Sequence, residues 1–325
     1  MTNSNDELMM ETMYWWGIPT LFRCEHQKDV SKCDIALVGV PHSTGNGTTE
    51  RDQHLGPRAV RHVSAGLRRV HLDFNINPWK QKKIFDLGDV ALPHANNNER
   101  CIEDITNFYQ RIAKEKKPVV SIGGDHSITG GILQGLASNN LDLTNGKKIS
   151  FLHIDAHTDT FSQLDHFMGA KKSAAHWGAY LVEQGIIDPK TSMQIGMRGN
   201  PRTLDWLQPS YDLGYNVVTM DEFKKRGIKD VIKETLDKIG DNPVYITFDL
   251  DSLDATVAPA VSNIEPGFTG FTIDEAKALI QSVKNKNVIG GDVVCLMPTK
   301  DQKNNITSMV AASIMFEIVS VIACN

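Results

Sequence analysis

Short, unbroken apolar runs alternate along this chain with longer stretches in which apolar residues recur every three or four positions. The runs DIALVGV (34–40), KKIFDLGDV (82–90), KPVVSIGG (117–124), KKISFLHID (147–155), SMQIGM (192–197), PVYITFDL (243–250) and VIGGDVVCL (288–296) read as strands buried on both faces. Helical spacing covers 56–70, 101–115, 128–137, 173–185, 221–239, 272–284 and 305–322. The first of these opens with Gly56-Pro57, and proline is welcome in a helix's first turn. Strand and helix in alternation over the whole length predict an α/β fold with a central, mostly parallel sheet. No linker, repeat or low-complexity stretch breaks the pattern, so residues 34–325 read as one domain. Residues 1–33 precede the first strand and read as an N-terminal arm, across the body or at a subunit contact.

Composition narrows the function classes. Hydrophobic residues make up 41% of the 325 and charged residues 22%, the balance of a soluble globular protein. A net charge of -5 with scattered Lys and Arg leaves no basic footprint for nucleic acid. No apolar run approaches the roughly 20 residues of a membrane helix, and the polar, acidic N-terminus is unlike a signal peptide. Cys24, Cys33, Cys101, Cys295 and Cys324 are odd in number and form no CxxC pair. They read as reduced thiols of a cytoplasmic protein.

The strand ends carry the chemistry. FLHIDAHTDT (151–160) begins as buried strand and ends by gathering Asp155, His157 and Asp159. If the chain stays extended, residues two apart project to the same side. Converging carboxylates repel unless a cation sits among them. Asp249 and Asp251 stand two apart at another strand end, in TFDLDSLD. His126 follows a third in SIGGDHS, where Gly123 and Gly124 allow a tight turn. Ligands of open α/β sheets bind beyond such carboxyl ends. Taken alone, GGDHS would serve as a turn with Asp125 or Ser127 capping a helix, and DLDSLD as a solvated turn. Together, two histidines and four aspartates are too anionic for one ion. Two divalent cations sharing bridging carboxylates would neutralise them.

GGDHS, DAHTD and FDLDSLDATVAP resemble the three signature motifs of the ureohydrolases, the arginase and agmatinase family. GPRAVR (56–61), IGMRG (195–199) and GDVV (291–294) are similar to further family stretches. The resemblance implies a three-layer α/β/α fold and hydrolysis of a guanidino group to urea plus an amine or ammonia. It implies one metal held by His126, Asp155, Asp159 and Asp249, and a second held by Asp155, His157, Asp249 and Asp251. Asp155 and Asp249 would bridge. A guanidinium carbon is a poor electrophile, and two metals sharing a water lower its pKa toward neutrality. The family's catalytic histidine matches His176 in SAAHWGAYL, whose imidazole suits proton transfer, with Asp159 beside it in the catalytic set. The structural alternative is a helix N-terminal histidine packed beside Trp177. His153, within a strand, reads as a buried hydrogen-bonding residue, while Asp165 and His166 lie in a loop, open to surface or pocket.

Departures from the family pattern bear on substrate. APAVSNIEPG (258–267) replaces a Gly-Thr-Gly stretch, and Cys295 stands where the family usually holds the substrate guanidinium with a glutamate. The 160–175 segment is longer than in arginases and offers Phe161, Phe167 and Met168, with Trp177 just beyond as a substrate contact. An aromatic-lined small pocket suits a compact or methylated guanidine through cation–π contacts. HSTGNGTTERDQHLGPRAVR (42–61) is similar to the branch that hydrolyses free guanidine, which is associated with nickel rather than manganese. Guanidine therefore ranks first as substrate. An N-methylated guanidine or metformin-like biguanide comes second, and agmatine or guanidino acids third. The family implies a homo-oligomer, trimer or hexamer. Two rival readings are a silent subunit of a hetero-oligomer and a single-zinc deacetylase of similar fold. Metal content per chain separates them.

Overall fold

All seven apolar runs form strands, and an eighth joins them. They are β1 (Ile35–Val40), β2 (Ile84–Asp89), β3 (Val119–Gly123), β4 (Ser150–Ile154), β5 (Met193–Met197), β6 (Asn216–Thr219), β7 (Val244–Asp249) and β8 (Val288–Val294). The structure is a computed structural model and describes residues 4–46, 51–138, 142–162 and 169–325. Eight strands pair in the order β2-β1-β3-β8-β7-β4-β5-β6, every pair parallel.

The helices are α1 (Ser4–Thr12), α2 (Gly56–Ser64), α3 (Pro78–Gln81), α4 (Asn98–Lys114), α5 (Ile128–Leu136), α6 (Trp177–Glu183), α7 (Gln208–Leu213), α8 (Met220–Arg226), α9 (Ile228–Ile239), α10 (Ile273–Ser282) and α11 (Ile306–Ala323). Successive strand residues serve opposite layers, which is why the runs are apolar throughout. Leu152 and Ile154 pack in one core with Leu279 of α10 and Ile314 and Ile318 of α11. Phe151 faces the other way, into a core with Ile105 and Tyr109 of α4, Ile132 of α5 and Trp177 of α6. Helix α11 is long and apolar enough to cross a membrane by length and composition, but it is mostly buried within the fold.

Three departures from the periodic pattern have local causes. The strand β6 forms one sheet edge, opposite β2, and is short and only half-buried, so its NVVT lacks a long apolar run. The helix expected over 221–239 is two helices, because Gly227 takes φ +81° between α8 and α9. A capping box of Thr219 and Glu222 starts the first of them. Helix α2 ends at Ser64, short of the spacing that ran to 70. In the N-terminal segment, Leu21, Phe22 and Cys24 are buried in the core, and the Leu21 N–H donates to Asp86 Oδ2 (2.9 Å).

Strand order is what builds the site. After β3 the chain passes over two positions to lay down β4, and β7 and β8 fill the gap later. The carboxyl ends of β3, β8, β7 and β4 thereby become neighbours.

Candidate metal centre

The acidic strand ends converge through turns, not through extended chain. Asp155 Oδ1 accepts the His157 N–H (2.7 Å), Asp249 Oδ1 the Asp251 N–H (2.9 Å) and Asp125 Oδ1 the Ser127 N–H (3.0 Å). Aspartate readily bonds its own backbone two residues on, and here that habit bends the chain at three strand ends. The extended geometry expected from sequence is corrected accordingly. A 3-10 turn at Leu250–Ser252 follows β7, and Asp159 takes φ +52°. Gly124 permits the turn after β3, since a Cβ there would collide with the carbonyl oxygens of Val40 and His42.

The six ligand candidates gather in two overlapping groups. His126 Nδ1 lies 2.9 Å from Asp155 Oδ2, 3.0 Å from Asp159 Oδ2 and 3.2 Å from Asp249 Oδ2. His157 Nδ1 lies 3.4 Å from Asp155 Oδ1 and 3.2 Å from Asp251 Oδ2. Asp155 belongs to both groups. All six are buried except His157, which is half-buried.

Hydrogen bonding fixes what His126 presents. Thr247 Oγ1 gives its proton to Asp292 Oδ1 (2.7 Å), so it accepts from His126 Nε2–H (2.8 Å). Asp292 in turn accepts from Thr129 and Tyr245, each at 2.9 Å. In the neutral ring Nδ1 then carries a lone pair, aimed among three carboxylates and aligned for a hydrogen bond with none. Asp251 Oδ2 is likewise buried without a hydrogen-bond partner. Lone pairs and anions facing one another without donors fit divalent cations. His126, Asp155, Asp159 and Asp249 would hold one ion, and Asp155, His157, Asp249 and Asp251 the other.

Electrostatics agree. Burial and the nearby Asp249 raise the Asp251 carboxyl well above its ordinary value, and burial with Asp155 raises Asp249. Burial disfavours charge on His126, yet Asp155, Asp159 and Asp249 hold its imidazole well above the usual range. A field that strong for a proton also attracts a metal ion. When bound, a pair of divalent ions supplies Lewis acidity that acidifies a water.

His153 stands in one cluster with His126, Asp155 and Asp159, and both of its ring nitrogens are engaged by protein groups. Gln194 Nε2 donates to the Thr158 carbonyl (2.6 Å) and faces His153 Nδ1 (3.2 Å). His153 therefore carries its proton on Nε2 and donates to Asp155 Oδ2 (2.8 Å). Sequence reading missed Asp292, Thr247 and Arg198. The buried Arg198 guanidinium donates to the carbonyls of Asp251 (2.6 Å), Ser252 (3.0 Å) and Leu253 (3.0 Å), pinning the loop after β7. The signal available was the arginine in IGMRG, directly beyond a buried strand.

A cavity of about 530 Å³ opens onto the ligand cluster, and His126, His157, Asp159, Asp249 and Cys295 line it. Trp177, expected at the substrate, is instead fully buried behind the ligands. Its indole N–H donates to Asp159 Oδ2 (3.0 Å), and its ring lies 4.9 Å from His126. Among the described residues, the aromatic side chains lining the cavity are Phe161 and Trp206. His176 is buried at the start of α6, with Nδ1 on Ser173 Oγ (2.5 Å), and Ala174 and Ala175 just before it line the cavity. Asp165, His166, Phe167 and Met168 lie outside the described residues.

A hydrolase whose residues could hold a pair of divalent ions is the class that this fold and site define. The arginase family model matches residues 33–320, and the chain belongs to the arginase family. It is 31% identical over 302 residues to a mitochondrial guanidino acid hydrolase of Homo sapiens, covering 93% of this chain and 82% of that one. It is 30% identical over 309 residues to a guanidinopropionase of Pseudomonas aeruginosa, covering 94% and 92%. The solved proclavaminate amidino hydrolase of Streptomyces clavuligerus superposes with a TM-score of 0.87 at 27% identity, over 96% of this chain and 99% of that one. The protein is accordingly an enzyme acting on guanidino C–N bonds.

Proposed function

We propose that this enzyme hydrolyses free guanidine to urea and ammonia. The observation that carries the reading is Cys295, which lines the cavity directly after β8. Burial together with Asp249 and Asp251 pushes its thiol well above the ordinary value. A neutral thiol supplies neither an anion for a long guanidino substrate nor a nucleophile. It acts as a small apolar wall against a compact cation. In this reading His176, oriented by Ser173, moves the proton to the departing nitrogen.

Nickel is the proposed metal, with manganese next, because imidazole ligands accept nickel and the affinity order favours it. The five free cysteines suit a cytoplasmic location. Tyr14, Trp15 and Ile18 are exposed along the N-terminal arm and would be covered in a homo-oligomeric trimer or hexamer.

A second reading has its own support. Exposed Arg202 stands at the cavity, whose volume exceeds what a three-nitrogen cation fills. A guanidino acid could place its carboxylate there, and Phe161 and Trp206 could face a methylated guanidine. A urea-release screen of nickel- and manganese-loaded enzyme decides among guanidine, methylguanidines, metformin, agmatine, guanidinobutyrate and arginine. Guanidine should give the highest kcat/KM. Preference for a guanidino acid would replace the first reading with the second.

A further inference from the structure

Three carboxylates line the cavity, those of Asp159, Asp249 and Glu265. The first two belong to the ligand set, so paired ions would take their charge. Cys295 offers none. A guanidinium ion entering a partly dry cavity beside two divalent cations needs an anion to face it, or it is repelled. Glu265 is what remains among the described residues.

Its placement is built, not incidental. The loop that carries it is stitched to the segment after β8: Ser262 N–H donates to the Cys295 carbonyl (3.2 Å) and Met297 N–H to the Ala260 carbonyl (2.9 Å). An isolated bridge also pairs Val261 with Leu296. The carboxyl group packs flat against Gly199, where a Cβ would sit 2.5 Å from Oε2 and 2.7 Å from Cδ. Gly199 adopts φ +106°, so its backbone conformation and the missing side chain both make room for this group. One oxygen, Oε1, lies 3.1 Å from His157 Nε2, the ring nitrogen turned away from Asp155 and Asp251. Among the described residues no other donor reaches the side chain. The carboxylate is therefore held in place at one edge and faces the cavity with capacity to spare.

We propose that Glu265 is the substrate's carboxylate partner in this enzyme, displaced from the segment after β8 to the loop facing it, and that it also orients His157. Both halves rest on the reading that the cavity receives a guanidinium. A cation held by Glu265 lies beside His157, a member of the ligand cluster. The displacement shortens the site and admits a compact guanidine in preference to one carrying a long chain.

Two substitutions separate the roles, measured on metal-loaded enzyme with guanidine, or with the best substrate of the screen. Glu265→Gln keeps an oxygen for His157 Nε2–H and removes the charge. It should retain two ions per chain while KM rises roughly 10–100-fold, the range of a charge-assisted hydrogen bond, with kcat changing far less. Glu265→Ala removes the acceptor as well, so metal counted after dialysis should fall toward one ion per chain, in line with the 10–100-fold affinity loss of a missing outer partner. A wild-type KM in Glu265→Gln overturns the substrate role. Equal metal retention in Glu265→Ala and the wild type overturns the orienting role. Neither result touches the reaction assignment, which fails separately if the wild type releases no urea from any guanidino compound.

Discussion

His176 shows how much one residue's meaning depends on its surroundings. In sequence it is a histidine at a helix start beside a tryptophan, equally at home as packing. In the fold its Nδ1 meets Ser173 Oγ at 2.5 Å, two residues beyond cavity-lining Ala174. If it moves protons and holds no metal, His176→Ala should leave two ions per chain and lower kcat roughly 10²–10⁴-fold. An unchanged kcat would return it to a packing role. Trp177 went the other way. Sequence offered an aromatic for the substrate, whereas the structure uses its indole N–H to steady Asp159. The chemistry of an indole N–H is legible in a sequence, but the direction in which it points is not.

Among the elements, α2 and β2 are tied by an ion pair of half-buried Arg61 with buried Asp86, neither of which lines the cavity. Arg61 donates to Asp86 through Nε (2.8 Å) and Nη2 (2.9 Å), and Asp86 also accepts the N–H groups of Leu21 and Gly88, each at 2.9 Å. Burial alone would raise the Asp86 carboxyl, but Arg61 and these N–H groups hold it below the ordinary value. A depressed folded pKa means the stabilisation is present above the unfolded value near 4 and is lost as pH falls through the folded value. Asp86→Asn should therefore cost about 1–3 kcal/mol at pH 7, because it removes the buried charge facing Arg61 while Asp89 stays 2.5 Å from that guanidinium. The gap between variant and wild type in urea midpoints should narrow as pH drops from about 5 toward 3. A gap independent of pH would show that the carboxylate charge is not what binds these elements.

For the whole molecule, the site is a concentration of buried charge that metal ions would settle. Asp155, Asp159, Asp249 and Asp251 are all buried at the centre of the sheet's carboxyl edge. Ions that bind the native state and not the unfolded chain stabilise by mass action, ~4 kcal/mol at a thousandfold excess over Kd. Stripping them with a chelator should lower Tm by on the order of 10 °C, and adding nickel or manganese should restore it. Identical melting of stripped and loaded protein, with two ions counted in the latter, would mean the fold tolerates these carboxylates unaided.

The sequence by itself determined seven of the eight strands, edge strand β2 among them, and the identity of the ligand-bearing strand ends. A strand buried on both faces must be apolar, and an acid or histidine directly beyond it breaks that rule visibly. It did not reveal β6, four residues long and half-buried over most of its length, whose two valines make no apolar run to detect. It also could not say which strand ends would meet. That was decided by strand order, since β7 and β8 enter between β3 and β4 only after β4, β5 and β6 are laid down. Glu265 and Asp292 escaped notice for the same reason. Each is a single acid within a longer stretch, GDVV for Asp292 and APAVSNIEPG for Glu265, and becomes part of the site through partners far away in sequence: His157 and Gly199 for Glu265, and Thr129, Tyr245 and Thr247 for Asp292. Periodicity is a local property that a chain carries with it, while convergence of distant groups exists only once the sheet has closed.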